Sequence, residues 1–197
     1  MSDARRADME RFLAASGWAD ATGTPIAADA SARRYVRLRR GMRTAVLMDA
    51  DPARGERVEA FLAVGAWLRS KGLSAPEVFA ADETAGFLLL EDLGDSLFAR
   101  LFAEDPRREA GLYRLATDLL AALHAHLPPA SVARAGGKEL GDLARLLGDY
   151  YLPAAGSDPA GAGRIADRIE ALFDRLDDQP PVLSLRDPGV RQVLRLM

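Results

Sequence analysis

The hydrophobic pattern of this chain changes near Gly94, and that change limits the folds open to it. Before Gly94, short apolar runs bounded by Gly, Pro and Asp residues are typical of strands, as at residues 33–38 (RRYVRL) and 87–91 (FLLLE). After Gly94, apolar residues recur at helical spacing. We therefore predict an α+β chain of two lobes, with an entry helix and an antiparallel sheet in residues 1–93 and a helical lobe in residues 94–197.

The predicted elements follow one another in a simple order. The predicted strands lie near residues 25–28 and at residues 33–38, 44–48, 77–81 and 87–91, and a short apolar run at residues 182–185 is a further candidate. The predicted helices lie at residues 3–16, 56–70, 96–102, 107–127, 139–152 and 164–176. The second helix falls between the third and fourth strands, and we expect it to pack on the sheet.

The composition excludes several classes of protein. With no cysteine and 2 histidines, the chain has no disulfide framework, thiolate metal centre or thiol nucleophile, and a His-rich metal centre is disfavoured. A formal net charge of -3 lacks the basic excess of duplex-binding domains, so we expect no nucleic-acid partner. No apolar stretch approaches the roughly 20 residues that span a bilayer, and the N-terminus does not resemble a secretory signal. We therefore expect no membrane partner and a cytoplasmic location.

Residues 29–34 (DASARR) are a first candidate for a binding segment. Small residues leave backbone N–H groups exposed, and these groups and the Ser31 hydroxyl can approach a phosphate while Arg33 or Arg34 neutralises its charge. The segment lacks the glycines of recognised phosphate loops. On these residues alone, an ordinary turn with a solvated basic flank is therefore the simpler interpretation.

Residues 87–94 (FLLLEDLG) are a second candidate. The apolar run stops at Glu91 and Asp92, where the sheet lobe gives way to the helical lobe. A crevice between lobes is a favoured place for a ligand. The alternative is that the two acids only end a strand.

A third candidate is the pair of charged residues that follows the apolar run at 182–185. Asp187 can serve as a base or a metal ligand, and Arg186 can hold a phosphate or fix the acid. Neighbouring Arg and Asp residues at strand ends are also common ion pairs that contribute on the order of 0–1 kcal/mol.

Together these segments stand in the order and spacing of one family. The segments are DASARRYVRL, TAVLMDADP, AFLAVGAWLRSKGLSAPEVFAAD, GFLLLEDLGDSLFARL, LLAALHAHLP and PVLSLRD. The sequence resembles the aminoglycoside-phosphotransferase-like kinases. Among them it is most similar to the bacterial amino-sugar kinases of cell-wall recycling, which phosphorylate N-acetylmuramate and N-acetylglucosamine at the anomeric position with ATP.

The resemblance implies a protein-kinase-like fold whose sheet lobe and helical lobe hold ATP and Mg²⁺ between them. Ser31, Arg33 and Arg34 match the loop over the phosphates. The implied second substrate is a small-molecule amino sugar.

The resemblance also assigns roles at the ends of two strands. Glu91, Asp92 and Leu93 match the end of the last strand and the hinge, where backbone groups bind adenine. Asp187 matches the catalytic-loop aspartate, which accepts or orients the proton of the acceptor hydroxyl.

Several positions depart from the family pattern. Met48 stands where a lysine is usual, Phe61 stands where its glutamate partner is usual, and an arginine of the phosphate loop is the candidate replacement for the lysine. Gln192 occupies the position of the metal-binding asparagine, and no second metal carboxylate follows it. Because Mg²⁺ demands tightly defined octahedral ligation, we expect impaired kinase activity from this incomplete helical lobe. The alternative is a non-catalytic module that binds a nucleotide or a partner.

Overall fold

The computed structural model describes residues 2–26, 32–95, 97–176 and 180–184. The strands in these residues are β1 (Thr22–Ile26), β2 (Arg34–Arg40), β3 (Arg43–Asp49), β4 (Val78–Asp82) and β5 (Phe87–Leu90). The helices are α1 (Asp3–Ala15), α2 (Glu59–Ser70), α3 (Phe98–Glu104), α4 (Glu109–His124), α5 (Gly137–Leu146), α6 (Leu152–Ala154) and α7 (Ala162–Asp174). A π-helical turn, Leu147–Tyr151, joins α5 to α6, and short 3-10 turns precede α2, α4 and α7.

The strands form one antiparallel sheet in the order β1-β2-β3-β5-β4. All four residues of β5, Phe87–Leu90, are buried. A continuous apolar run suits this position because β5 lies between two neighbouring strands and is covered on both faces. The sheet and the helices that follow it confirm the predicted α+β class.

One face of the sheet packs against α2. Met48, Leu88 and Leu90 are buried on this face, with Phe61 and Leu62 of α2 against them. The prediction that the helix between the third and fourth strands packs on the sheet is confirmed.

The other face of the sheet is covered by α1. Leu47, Phe87 and Leu89 form a buried cluster there with Phe12 and Trp18. The rings of Phe12 and Phe87 stack with their centroids 5.7 Å apart. The sheet is therefore apolar on both faces.

A buried carboxylate at the end of β3 joins α1 to the start of β2. Asp49 Oδ1 accepts hydrogen bonds from Arg5 Nε at 3.1 Å and Nη2 at 2.7 Å, and Asp49 Oδ2 lies 2.8 Å from Arg34 Nη2. The Arg5 guanidinium also lies 3.8 Å from the centroid of the Phe87 ring and donates to the carbonyl of Ala85. Because a buried carboxylate is costly without cations, these arginines stabilise the end of β3.

The described chain divides into two compact units. The first holds the sheet and α1 to α4, up to Ser131, together with Ser184, and the second, Val132–Leu183, holds α5 to α7. The lobe boundary predicted at Leu93 is a different division of the chain and stays a prediction.

In the second unit, α5 and α7 meet through small residues. Gly137, Gly141, Ala162 and Ala166 are buried, and a Cβ added at Gly137 would lie 2.6 Å from the backbone oxygen of Glu170. Small residues let two helix backbones approach closely, and here they occupy the contact. Large apolar side chains on both helices remain exposed, among them Leu143, Leu146, Ile165, Leu172 and Phe173.

The strand predicted at residues 182–185 is wrong for its described part. Residues 182–184 are irregular, although Leu183 is buried. A short run with three apolar residues out of four indicates burial, but it does not specify a neighbouring strand to pair with.

Candidate nucleotide-binding site

The first predicted hinge residue, Glu91, is tied to the residue before β4. Its backbone amide donates to the Glu77 carbonyl at 2.8 Å, and the Glu77 amide donates to Glu91 Oε2 at 3.2 Å. The carboxylate of Glu91 thus helps to fix the chain as it leaves β5.

Leu93 has an unpaired backbone among the described residues. Among the described residues, its amide and its carbonyl have no hydrogen-bond partner, and its side chain is half-buried. A free donor and a free acceptor on one residue can pair with the acceptor and the donor on the edge of a purine base. The backbone of Leu93 therefore has groups that fit the edge of adenine, as does that of Asp92, whose amide and carbonyl also have no partner among the described residues.

An apolar surface lies on the sheet beside this segment. Val46 pairs with Leu90 across β3 and β5, and directly opposed residues of an antiparallel pair share one face. Leu90 is buried and Val46 is half-buried. The sheet is therefore apolar next to the end of β5, and apolar side chains usually line a small-molecule site.

Asp92, which lies between Glu91 and Leu93 in the sequence, is held by an arginine from β2. Arg37 Nε lies 3.0 Å from Asp92 Oδ2, and Arg37 Nη1 and Nη2 each donate to Asp95 at 2.8 Å. Asp92 Oδ1 also accepts from the backbone amide of Gly94 at 3.0 Å. The hydrogen bond from Arg37 holds the pKa of Asp95 below its ordinary value of 3.8.

Sequence reasoning did not single out Arg37. In the pattern RRYVRL, an arginine between Val36 and Leu38 is what a solvated face predicts. The two aspartates follow β5, far along the chain from β2, so only the sheet register brings the three residues together.

The two arginines predicted for the phosphate loop have separate partners. Arg33 Nε donates to Glu56 Oε2 at 2.7 Å, whereas Arg34 Nη2 pairs with Asp49, the carboxylate that also binds Arg5 of α1. Burial disfavours the charge of Arg33, but its hydrogen bond to Glu56 and its interactions with Tyr35 together outweigh burial, and the pKa of the guanidinium is raised. Ser31 lies outside the described residues.

The two residues that the resemblance matches to the lysine and glutamate pair of kinases lie in apolar packing. Met48 is fully buried, and Phe61 of α2 belongs to the same cluster. Both charges are missing together, so neither side chain leaves a buried charge without a partner.

The described residues contain no site for a metal ion. Within these ranges, no three His, Asp or Glu side chains are grouped to hold one. Asp187 and Gln192 lie outside the described residues, so their roles toward Mg²⁺ and the acceptor hydroxyl stay predictions.

A membrane span is also missing from this part of the molecule. None of its helices combines the length and the apolar character that crossing a bilayer requires.

An open groove of about 1040 Å³ lies between α1 and β4. Its lining mixes apolar and charged side chains, including Trp18, Arg43, Phe79 and Asp82. None of the described residues predicted for the nucleotide site lines this groove. We therefore place the candidate site at the segment after β5.

The profile of the phosphotransferase enzyme family (APH) matches residues 22–194. The chain belongs to the phosphotransferase enzyme family. The match takes in every predicted site residue, from Ser31 to Gln192.

Three relatives within the phosphotransferases carry one name, N-acetylmuramate/N-acetylglucosamine kinase. The protein of Caulobacter vibrioides is 39% identical over 155 residues, which cover 66% of this chain and 42% of that protein. The protein of Pseudomonas aeruginosa is 39% identical over 89 residues, covering 44% of this chain and 26% of its own length. The protein of Pseudomonas putida is 36% identical over 97 residues, covering 49% and 28%. The chain spans less than half the length of these relatives.

Proposed function

We propose that this chain binds the nucleotide of an ATP-dependent kinase that phosphorylates an amino sugar. The single observation that carries the proposal is the free backbone amide and carbonyl of Leu93, beside the apolar surface of Val46 and Leu90. The names of the three relatives support an amino sugar as acceptor.

The proposed roles follow the charges available. Arg33 and Arg34, which the resemblance matches to the loop over the phosphates, are our candidates to neutralise the phosphate charge, and each is already paired with a carboxylate, Arg33 with Glu56 and Arg34 with Asp49. Asp187 is our candidate to accept the proton of the sugar hydroxyl as its oxygen bonds to the γ-phosphorus and ADP leaves. Mg²⁺ would neutralise charge on the phosphates, but we assign it no described residue.

A second candidate is a module that binds nucleotide without transferring phosphate. The apolar contact of Met48 with Phe61 favours it, because kinases of this fold use an ion pair there to hold the phosphates. Gln192, in place of a metal-binding asparagine, agrees with it.

Calorimetry with ATP tests the binding proposal. We expect the native chain and Leu93→Ala to bind ATP with similar affinity, because alanine keeps the backbone groups. Leu93→Pro removes the amide donor and should weaken binding by about tenfold. Loss of affinity in both variants, or in neither, would contradict a site built on the Leu93 backbone.

Phosphate transfer from ATP to N-acetylmuramate or N-acetylglucosamine separates the two candidates. We expect slow transfer by the native chain, and Asp187→Asn should lower it by about 10²–10⁴-fold where that aspartate acts as the base. ATP binding with no transfer in either protein would favour the non-catalytic module.

A further inference from the structure

Arg37 connects the middle of the sheet to the segment after β5. Arg37 of β2 pairs with Val46 of β3, and Val46 pairs with Leu90 of β5. The three residues therefore form one row across the sheet, on the face that α2 covers. Since β3 lies between β2 and β5, the arginine side chain reaches past β3 to meet Asp92 and Asp95.

The contacts of Arg37 lie on both sides of Leu93 in the sequence. Asp92 precedes Leu93 and Asp95 follows Gly94, and the guanidinium touches both aspartates. The Gly94 amide is bound to Asp92, and Gly94 has a φ of 79°, which a residue with a side chain rarely adopts. The chain is therefore fixed on both sides of Leu93.

The burial of these groups shows why the contact needs a cation. The side chain of Asp92 is only 8% exposed, and that of Arg37 is 26% exposed. A buried carboxylate is costly unless a cation and hydrogen bonds satisfy it. Arg37 is the cation that the structure places within ion-pair distance of Asp92. Without Arg37, the carboxylate would turn toward water and move the backbone beside Leu93.

The opposite end of the segment is fixed independently. Glu91 is joined to Glu77 by two hydrogen bonds, which involve no residue of β2. Loss of Arg37 should therefore leave β5 and Glu91 in place and release the chain from Asp92 onward.

We propose that Arg37 is a positioning residue, which holds Asp92 and Asp95 so that the Leu93 backbone meets the edge of a purine base. This inference rests on the proposed function, because Arg37 would hold the segment of the proposed nucleotide site in place. It predicts that Arg37 acts on the base of the nucleotide and not on its phosphates.

The test is calorimetry on the 197-residue chain with three probes: ATP, adenosine and inorganic tripolyphosphate. We expect Arg37→Gln to weaken ATP and adenosine by the same factor, about tenfold, and to leave tripolyphosphate unchanged. Arg37→Lys keeps a cation and should recover part of the loss. The control is Arg40→Gln, which removes an ion pair with Asp20 at the end of the same strand and should change no affinity.

A double variant examines whether Arg37 acts through Asp92. Arg37→Gln combined with Asp92→Asn should weaken adenosine no more than Arg37→Gln alone, because both changes break one contact. Thermal unfolding of each variant confirms that it is folded under the conditions of the titration.

The outcomes separate this inference from the proposed function. Native chain that binds none of the three probes contradicts the proposed function. Native binding with unchanged or tighter adenosine affinity in Arg37→Gln overturns the positioning role alone. Equal loss for adenosine and tripolyphosphate also overturns it, because that result describes general damage to the lobe.

Discussion

The sheet of the first unit and the helix pair of the second unit differ in their internal packing. Large side chains such as Phe87 and Met48 fill the sheet core and are fully buried. In the helix pair the buried positions are Gly and Ala, while large side chains such as Leu146 stay exposed. Because cores are close-packed, a filled core suffers from lost volume or added charge, and a close backbone contact suffers from added volume.

The largest effect is expected from a lysine in the sheet core. Met48→Lys places a cation among apolar side chains, and it should lower the free energy of unfolding by about 3–5 kcal/mol. Leu146→Lys is the matched control, because Leu146 is 46% exposed and should change by less than about 0.5 kcal/mol. Urea unfolding measures both. Equal effects at the two positions would remove the contrast between the units.

A smaller effect of opposite origin is expected in the helix pair. Gly137→Ala adds a Cβ 2.6 Å from the backbone oxygen of Glu170, and it should destabilise the protein by about 1–3 kcal/mol. Gly111→Ala adds the same methyl group to α4 in open space and should stabilise by about 0.5–1 kcal/mol, through helix propensity. Thermal unfolding distinguishes the signs. Stabilisation by both would mean that the contact between α5 and α7 adjusts freely.

The smallest effect concerns the exposed end of the Arg37 contact. The pKa of Asp95 is lower in the folded protein than its ordinary value of 3.8, so its pair with Arg37 stabilises the fold above that pH and is lost as the pH falls through the lowered pKa. Asp95→Asn should therefore destabilise by at most about 1 kcal/mol near neutral pH, because Asp95 is 61% exposed.

Unfolding of native protein and Asp95→Asn at about pH 6 and about pH 2 measures this difference. We expect a larger gap between the two proteins at the higher pH than at the lower. A difference in stability of the same size in acid would have a cause other than ionisation of this carboxyl group.

The sequence predicted those elements whose signal is local. Apolar runs and helical spacing located β2, β3, β5 and α2, because each pattern is complete within one element. The run at 182–185 was misleading, since apolar residues also occur in buried irregular chain. The contact of Gly137 with Glu170 was out of reach, because a glycine indicates a break in the pattern and a close approach equally well.

The sequence pointed to the segment of the candidate site, but not to the ion pairs that hold this segment. The acids at the end of β5 and the resemblance to a family pointed to Glu91, Asp92 and Leu93. The pairing of Arg37 with Asp92 depends on the order of three strands. The different partners of the neighbouring residues Arg33 and Arg34 depend on which side of the chain each side chain lies. Such long-range pairing is absent from any short window of sequence.

The carboxylate of Asp49 has a consequence for the order of folding. Its contact with Arg34 spans a hairpin, whereas its contact with Arg5 joins residues 44 apart, and Arg5 also reaches the carbonyl of Ala85, 80 residues away. Closing a short loop costs less entropy than closing a long one, so we expect the hairpin to form before α1 docks. Until α1 arrives, Asp49 holds one of its two cations and the Phe87 side of the sheet is bare. Docking of α1 is therefore the step that closes the core to water.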